Sequence, residues 1–482
     1  MSSQTSMRGL ISQTAVYGVS AILSKFLNYL LTPYLTRIMT TEVYGEVSLL
    51  YGIIPFANVL LTMGFATTYF RWVGKMETPL QQKSLFTTMW GTVSLFAMMF
   101  MLMVFMYRVD ITGVMGYTAV WHVVVTAILI FIDNVNAMLF AALRQAGKAM
   151  KYTIVNVTAV VVNIVMCVVI YTFKLDAAES AGWVVVANIV ASLSSTVLML
   201  PTLFRMLTSK IDFSLLVPLF KYSLPLMLAG VMGVSSEFLD RQMIRWLLPD
   251  SIATASVGVY GAVSKIAALM IIFRQVYTLG AEPFFLQKFK KEDFKIINAK
   301  ALKFFTIMGI MAVLFISFFD DLFAYIIGAN FREGMVIVPV LLVTNLLMGV
   351  LVNLSFWYKV VDKTRYAVFV TLLGLLTVVG LSFLLVPNYG YVGAAYAHLG
   401  GAVTMVVASY IFNQINFPVP YEVGRLTLYT VVGIAFYFGG DFVQVQFGEM
   451  VGYTAKILLL LLFMTLAINI EKINIKTLLC KK

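Results

Sequence analysis

The chain reads as a succession of long apolar runs joined by short polar connections. Windows of sustained hydropathy fall near 14–36, 43–70, 85–107, 117–141, 152–173, 181–204, 221–247, 256–279, 302–324, 336–358, 366–386, 391–413, 425–440 and 451–469. Nearly all reach the roughly 20 residues a helix needs to cross the hydrocarbon core of a bilayer. The run at 425–440 is the shortest. The first run differs from a cleaved signal peptide: only Arg8 flanks it, it is too long, and many further runs follow. The pattern predicts an all-α polytopic membrane protein with about 14 transmembrane helices.

Composition agrees. Of 482 residues, 61% are hydrophobic and 12% charged, against about 45–50% and about 25% in an ordinary soluble domain. At roughly 30–35 residues per crossing with its connection, the length is used up by about 14 passes and leaves no sizeable soluble domain. Cys167 lies inside an apolar run and Cys480 near the end, which makes neither a disulfide framework nor a metal cluster. The two histidines, His122 and His398, occupy different runs and lack zinc-type spacing. Each reads as a packed or interfacial side chain.

The net charge of +12 reports orientation. With the N-terminus inside, 25 of the 34 Lys and Arg residues fall in cytoplasmic segments, six in outer segments (Arg37, Arg108, Lys174, Arg245, Arg332 and Lys456) and three within spans. This is a positive-inside distribution with both termini cytoplasmic, and it removes the reason to expect nucleic acid. The longest cytoplasmic connection, Ala281–Lys300, reads as an amphipathic interfacial segment, with Phe284, Phe285 and Phe289 in the headgroups and Lys288, Lys290 and Lys291 on anionic lipid. Membrane glycosyltransferases and ligases need a larger extramembrane part than these short loops provide, so the chain is not expected to be an enzyme.

A weak internal repeat places Tyr44-Gly45-Glu46-Val47-Ser48 opposite Tyr260-Gly261-Ala262-Val263-Ser264, at the starts of spans two and eight. An offset of six spans keeps the same orientation, as in parallel-repeat transporters. The expected organisation is an N-lobe (1–210, spans one to six), a C-lobe (211–415, spans seven to twelve) and an appended pair with a tail (416–482). The two pseudo-symmetric six-helix lobes would enclose a central cavity.

Seven ionisable residues fall inside the spans: Lys25, Glu46, Asp133, Glu237, Asp240, Arg241 and Lys265. Each costs about 2.5–3.5 kcal/mol at a helix centre on the insertion scale, and such residues often mark a substrate or ion path. Glu237, Asp240 and Arg241 are spaced i, i+3, i+4 on span seven and so share a helix face. Span one carries a polar stripe of Tyr17, Ser20, Ser24, Asn28 and Thr32 beside Lys25, and span five carries Asn156 and Asn163. On a functional reading, Lys25, Arg241 and Lys265 attract an anion such as a diphosphate, while Asp133, Glu237 and Asp240 carry a coupling H+ or Na+. The remaining cavity candidates are Glu46, Asn28 and Asn163. Static pairing is the competing reading, Glu237 with Arg241 and Asp240 with Lys265. Glu46, near the outer interface, reads as solvated. The many Phe, Tyr and Met residues are ordinary lipid-facing, packing and interfacial residues.

At Leu30-Leu31-Thr32-Pro33-Tyr34-Leu35-Thr36-Arg37, followed by Tyr44-Gly45, the sequence resembles the bacterial polysaccharide and lipid-linked oligosaccharide (O-antigen-type) flippases of the multidrug/oligosaccharidyl-lipid/polysaccharide exporter superfamily. Tyr222-Ser223-Leu224-Pro225, Leu239-Asp240-Arg241, Gly258-Val259-Tyr260-Gly261 and Gly390-Tyr391-Val392-Gly393-Ala394-Ala395 extend the resemblance across the chain. It implies a twelve- or fourteen-helix fold in the bacterial inner membrane that moves undecaprenyl-diphosphate-linked glycans to the periplasmic leaflet by alternating access. It also implies that Lys25, Arg241 and Lys265 engage the diphosphate and that transport is coupled to an ion gradient. Span two offers only Glu46, so a fourth cationic contact from that helix is not expected.

No cofactor is expected beyond the coupling ion. The expected partners are the lipid-linked oligosaccharide, membrane lipids and other polysaccharide-assembly proteins. Two alternatives stay open: a cation-coupled multidrug exporter on the same fold, and a lipid II flippase. Three cations against four acids within the spans, counting Lys25, Arg241 and Lys265 against Glu46, Asp133, Glu237 and Asp240, do not decide between them.

Overall fold

A computed structural model describes residues 29–173, 180–208, 210–288, 294–361, 363 and 365–472, with the side chains of 279–280, 282–288 and 359–360 outside the description. Among the described residues all regular structure is helical. In lipid no water is present to bond exposed peptide groups, so each crossing must satisfy its own backbone. Among the described residues, twelve helical segments are long and apolar enough to cross a membrane. One of them, α14 (Arg365–Asn416, 52 residues), breaks at Gly390, which has φ 58° and ψ −138°. It therefore contains the two expected runs 366–386 and 391–413. Span one lies mostly in residues outside the description, apart from α1 (Leu31–Ile38). The count therefore agrees with about 14 passes, and the protein is a multi-pass membrane protein.

The chain divides into two compact units. The first comprises Met1–Ala262, Ile327–Phe331 and Thr371–His398. Its helices are α1, α2 (Thr41–Thr62), α3 (Phe65–Val73), α4 (Pro79–Met106), α5 (Arg108–Met115), α6 (Val120–Gln145), α7 (Ala149–Phe173), α8 (Gly182–Met206), α9 (Leu216–Leu247), the start of α10 (Asp250–Lys288) and the Thr371–His398 part of α14. Local sequence fixes their ends. The Thr40 side chain accepts from Val43 N–H at the start of α2. Thr78 and Gln81 form a capping box ahead of α4, with Pro79 in its first turn, so the groups a helix start leaves orphaned are bonded.

Span two, expected as one rod, is broken where Met63 and Gly64 take φ 51° and 69°. Gly64 there packs its Cα face on the Ser223 carbonyl of α9, a Cβ falling 3.0 Å from that oxygen. α3, α4, α6 and α8 converge on one core in which Phe65, Tyr69, Phe86, Met89, Val93, Met138, Leu139 and Met199 are fully buried. α5 is a short helix, without buried residues, in the connection between spans three and four. Its eight residues are too few to read as a span.

The second unit comprises Val263–Ile326, Arg332–Val370 and Leu399–Lys482. α11 (Phe294–Phe318) is its central rod, buried along its length from Phe294 to Phe318, and packs on α13 (Val338–Val360), α15 (Val423–Phe447) and α16 (Glu449–Ile470). The short helix α12 (Asp320–Ala324) follows it. α15 spans 25 residues, longer than the 425–440 run, because Asp441, Gln444 and other polar positions continue the helix beyond the hydropathy window. The segment expected to lie along the interface, Ala281–Lys300, is divided between the end of α10 and the start of α11. The side chains of Phe284, Phe285, Phe289, Lys288, Lys290 and Lys291 are outside the described residues.

Candidate functional site

The three charged residues of span seven share a helix face by spacing, yet α9 gives them three environments. Asp240 is 2% exposed. Its Oδ2 accepts from the Tyr260 hydroxyl of α10 at 3.0 Å and pairs with Nδ1 of His398 on α14. Its Oδ1 is buried with no hydrogen-bond partner. Arg241, half-buried, donates from Nη1 to the backbone carbonyl of Glu237 at 2.8 Å, while its Nε is buried without a partner. Its side chain lies across Gly52 of α2, where a Cβ would sit 3.5 Å from Cδ. Glu237 is exposed. The bond to Arg241 thus uses the Glu237 main chain, and the basic group that Asp240 meets is the imidazole of His398.

Glu46 corrects a second expectation. Far from solvated, it is 3% exposed. Its Oε1 meets Nδ1 of His122 at 2.8 Å and accepts from Thr118 N–H at 2.7 Å, and its Oε2 accepts from the Thr118 hydroxyl at 2.5 Å. The far ring nitrogen of His122 lies 2.8 Å from the Ser180 hydroxyl. Four short contacts thus fasten α2, the connection before α6, α6 itself and Ser180, two residues ahead of α8. Burial and the nearby Glu46 carboxylate push the Tyr117 hydroxyl well above its ordinary pKa.

Asp133 of α6 joins a third network. It accepts from Ser192 of α8 at 2.6 Å and from Asn58 of α2 at 3.4 Å, and Asn134 donates to Asn58 at 2.8 Å. Asn163, buried on α7, faces Cys167 with Sγ at 3.9 Å. Lys265 lies on the part of α10 that belongs to the second unit, half-buried and with interactions of its own. Lys25 and Asn28 fall outside the described residues.

Sequence reasoning missed His398, Tyr260 and His122 as partners of the buried acids. A histidine within an apolar run is itself the signal, because lipid-depth polar groups are rare without a partner. It also missed a cluster in the second unit. There Lys303 of α11, 4% exposed, bonds Glu422 at 2.6 Å and Glu471 at 2.5 Å, with Arg425 bridging the same two acids. Burial alone would raise the Glu471 pKa. Hydrogen bonds from Lys303 and Tyr429, with the charges of Lys303 and Arg425, outweigh it and hold the carboxyl below its ordinary value.

Gly45 and Gly258 bring α2 and α10 into backbone contact within the first unit. A Cβ on Gly45 would strike the Thr254 carbonyl, and one on Gly258 would strike the Thr41 carbonyl. The crossing is reciprocal: Thr41 and Gly45 on one helix face Thr254 and Gly258 on the other, a small-xxx-small arrangement on both sides. A Cβ on Gly261 would meet the Ser48 hydroxyl, so the two copies of the sequence repeat touch each other.

Residues 10–271 match the family described as "Polysaccharide biosynthesis protein". No curated protein matches the chain. Among solved structures it is similar to a lipid II flippase, MurJ, in an inward closed conformation, with a TM-score of 0.73 at 13% identity over 94% of this chain and 99% of that one. It is also similar to an inward-facing multidrug resistance MATE transporter of the MOP superfamily, with a TM-score of 0.67 at 14% identity over 86% of this chain and 95% of that one. The MATE multidrug transporter DinF-BH gives 0.62 at 16% identity over 86% and 96%. The fold is that of MurJ and the MATE transporters, and with more than half its length matched, the chain belongs to the polysaccharide biosynthesis protein family.

Proposed function

We propose that the protein flips an undecaprenyl-diphosphate-linked oligosaccharide from the cytoplasmic to the periplasmic leaflet of a bacterial inner membrane, by alternating access coupled to an ion gradient, for surface polysaccharide assembly. The carrying observation is that a polysaccharide biosynthesis family member has the fold of a lipid II flippase over 94% of its length. The orientation in this reading comes from the 25-to-6 distribution of basic residues, which puts both termini in the cytoplasm.

In this reading Lys25, Arg241 and Lys265 hold the diphosphate. The state of Arg241 supports its part. A guanidinium nitrogen buried without a partner is costly to keep, and a phosphoryl oxygen is an acceptor that its fork geometry fits. Short connections argue against an enzyme, and the lipid-linked substrate, membrane lipids and other assembly proteins are the partners.

The test uses purified protein in liposomes with a fluorescent undecaprenyl-diphosphate oligosaccharide. Wild type is expected to expose it on the opposite leaflet. Removing a charge-assisted contact of about 1.5–3 kcal/mol in Arg241→Ala or Lys25→Ala slows this by about 10- to 150-fold at limiting substrate. Export of a cationic dye without glycan movement would replace this reading with the multidrug exporter. Flipping of lipid II in preference to the oligosaccharide would replace it with the peptidoglycan substrate.

A further inference from the structure

The chain has two histidines, and both face a buried carboxylate within the first unit, but the two pairs differ in a way that bears on proton exchange. His122 has its Nδ1 on Glu46 and its Nε2 on Ser180, both at 2.8 Å, and its side chain is 2% exposed. With both ring nitrogens bonded and water excluded, this imidazole is a fixed strut. His398 commits Nδ1 to Asp240, which leaves Nε2 to exchange a proton, and its side chain is 15% exposed against 3% for Asp240. The imidazole is therefore the more accessible member of the pair.

We infer that His398 and Asp240, braced by Tyr260, form the proton-binding site that couples transport to a proton gradient; the inference rests on the transport reading above. Asp240 receives two contacts on Oδ2, from Tyr260 and His398, and none on its buried Oδ1. When the imidazole is neutral and donates its Nδ1 hydrogen, the pair carries one buried negative charge with a bare oxygen. A proton arriving from water at Nε2 makes the ring an imidazolium and the pair neutral. Only the loaded pair is suited to a dry, closed packing, because an uncompensated buried charge is strongly disfavoured. One proton thus biases a two-state element.

The other charged and titratable groups acting on the ring are Glu237 and Arg241 from α9. Tyr260 of α10 bonds Asp240, and Tyr44 of α2 lies within the field of Arg241. A sodium ion fits less well: it requires a shell of oxygens, whereas an imidazole nitrogen occupies this carboxylate. On the positive-inside orientation the pair sits in the outer half of spans seven and twelve, nearer the periplasmic face.

With two histidines, protein labelled with ¹⁵N-histidine in nanodiscs gives two imidazole signals, assigned by His398→Gln. The His398 signal is expected to respond to pH, and Asp240→Asn displaces that response. In liposomes with the periplasmic face acidified, the wild-type distribution of substrate shifts by up to about tenfold per pH unit of gradient for one coupled proton. His398→Gln and Asp240→Asn, checked for folding by thermal melting, still equilibrate substrate but lose the gradient response. A silent His398, or a His398→Gln protein that keeps the gradient response, would overturn the assignment. If His398 titrates and Asp240→Asn displaces it while no protein flips the glycan, the proton site stands and the substrate reading falls.

Discussion

The reciprocal glycine crossing of α2 and α10 makes a quantitative prediction. A methyl group on Gly258 would lie 3.0 Å from Gly45 N and nearer still to the Thr41 carbonyl; one on Gly45 would lie 3.0 Å from Gly258 N and nearer to the Thr254 carbonyl. Every obstructing atom is backbone, so no rotamer change makes room. Since carbon contacts settle at about 3.5–4.0 Å, either Gly→Ala substitution must part the helices by roughly 1–2 Å. Overpacking of that kind costs about 1–3 kcal/mol, which shifts a closed-to-parted equilibrium by about 5- to 150-fold. Ser48→Cys reports the change, because Ser48 is 8% exposed and faces Gly261 across the crossing. In a Cys480→Ser background, with Cys167 fully buried, the rate of modification by a membrane-impermeant maleimide is expected to rise by that factor in Gly45→Ala and Gly258→Ala. Rates within twofold of the parent, in variants that melt at the parental temperature, would refute the close crossing.

Lys303→Met removes the buried cation between Glu422 and Glu471 and leaves them only the exposed Arg425; losing a buried charge partner costs up to about 3–5 kcal/mol, so the melting temperature in detergent falls, and adding Glu471→Gln restores part of it. Glu471 lies beyond the end of α16 with its pKa below the ordinary value of 4.5. A depressed folded-state value means its contribution is present above pH 4.5 and is lost as pH falls through the lowered value. Acid melting curves should therefore drop below about pH 4.5, and less steeply in Glu471→Gln. His122→Gln takes the imidazole hydrogen bond from a carboxylate that is 3% exposed, so a loss of about 1–3 kcal/mol in stability is expected, while the gradient response per folded protein is unchanged; loss of that response at full stability would contradict the strut role.

The spans were legible because apolar length is a local property that lipid makes nearly sufficient. The acids Asp240, Glu46 and Asp133 were legible as exceptions for the same reason. Their partners were not, since His398 stands 158 residues from Asp240 and His122 stands 76 from Glu46, and no periodicity connects positions that distant. Glu46 looked solvated because it opens an apolar run. Thr118 and His122 close over it, a tertiary event the run does not encode. Lys303, at the start of span nine, counts in the sequence only among the cytoplasmic basic residues, and its partners Glu422 and Glu471 come from the appended helix pair. The grouping of Glu237, Asp240 and Arg241 on one face is correct helix geometry. It fails as a grouping by chemistry, because a face several side chains wide holds both a buried and an exposed edge: Asp240 is 2% exposed, whereas Glu237 one turn earlier is exposed.

Satisfaction of hydrogen bonds separates the buried ionisable groups into two kinds. Glu46 fills both oxygens with three donors, and Lys303 sits between two carboxylates. Such groups are complete, and a complete network is explained by the fold it fastens. Among the described residues, the charged side chains that keep a buried atom without a partner are Asp240 and Arg241. They are neighbours in sequence and opposite in sign. An orphaned buried polar atom costs about 1–3 kcal/mol, and a structure that bonds Glu46 and Lys303 so fully has the means to bond these as well. In the proposed reading, these two orphaned atoms, Oδ1 of Asp240 beside the His398 imidazole and Nε of Arg241 one residue on, serve a proton and a phosphoryl oxygen respectively. In that reading, their adjacency on α9 is the route by which loading of either ligand is felt at the site of the other.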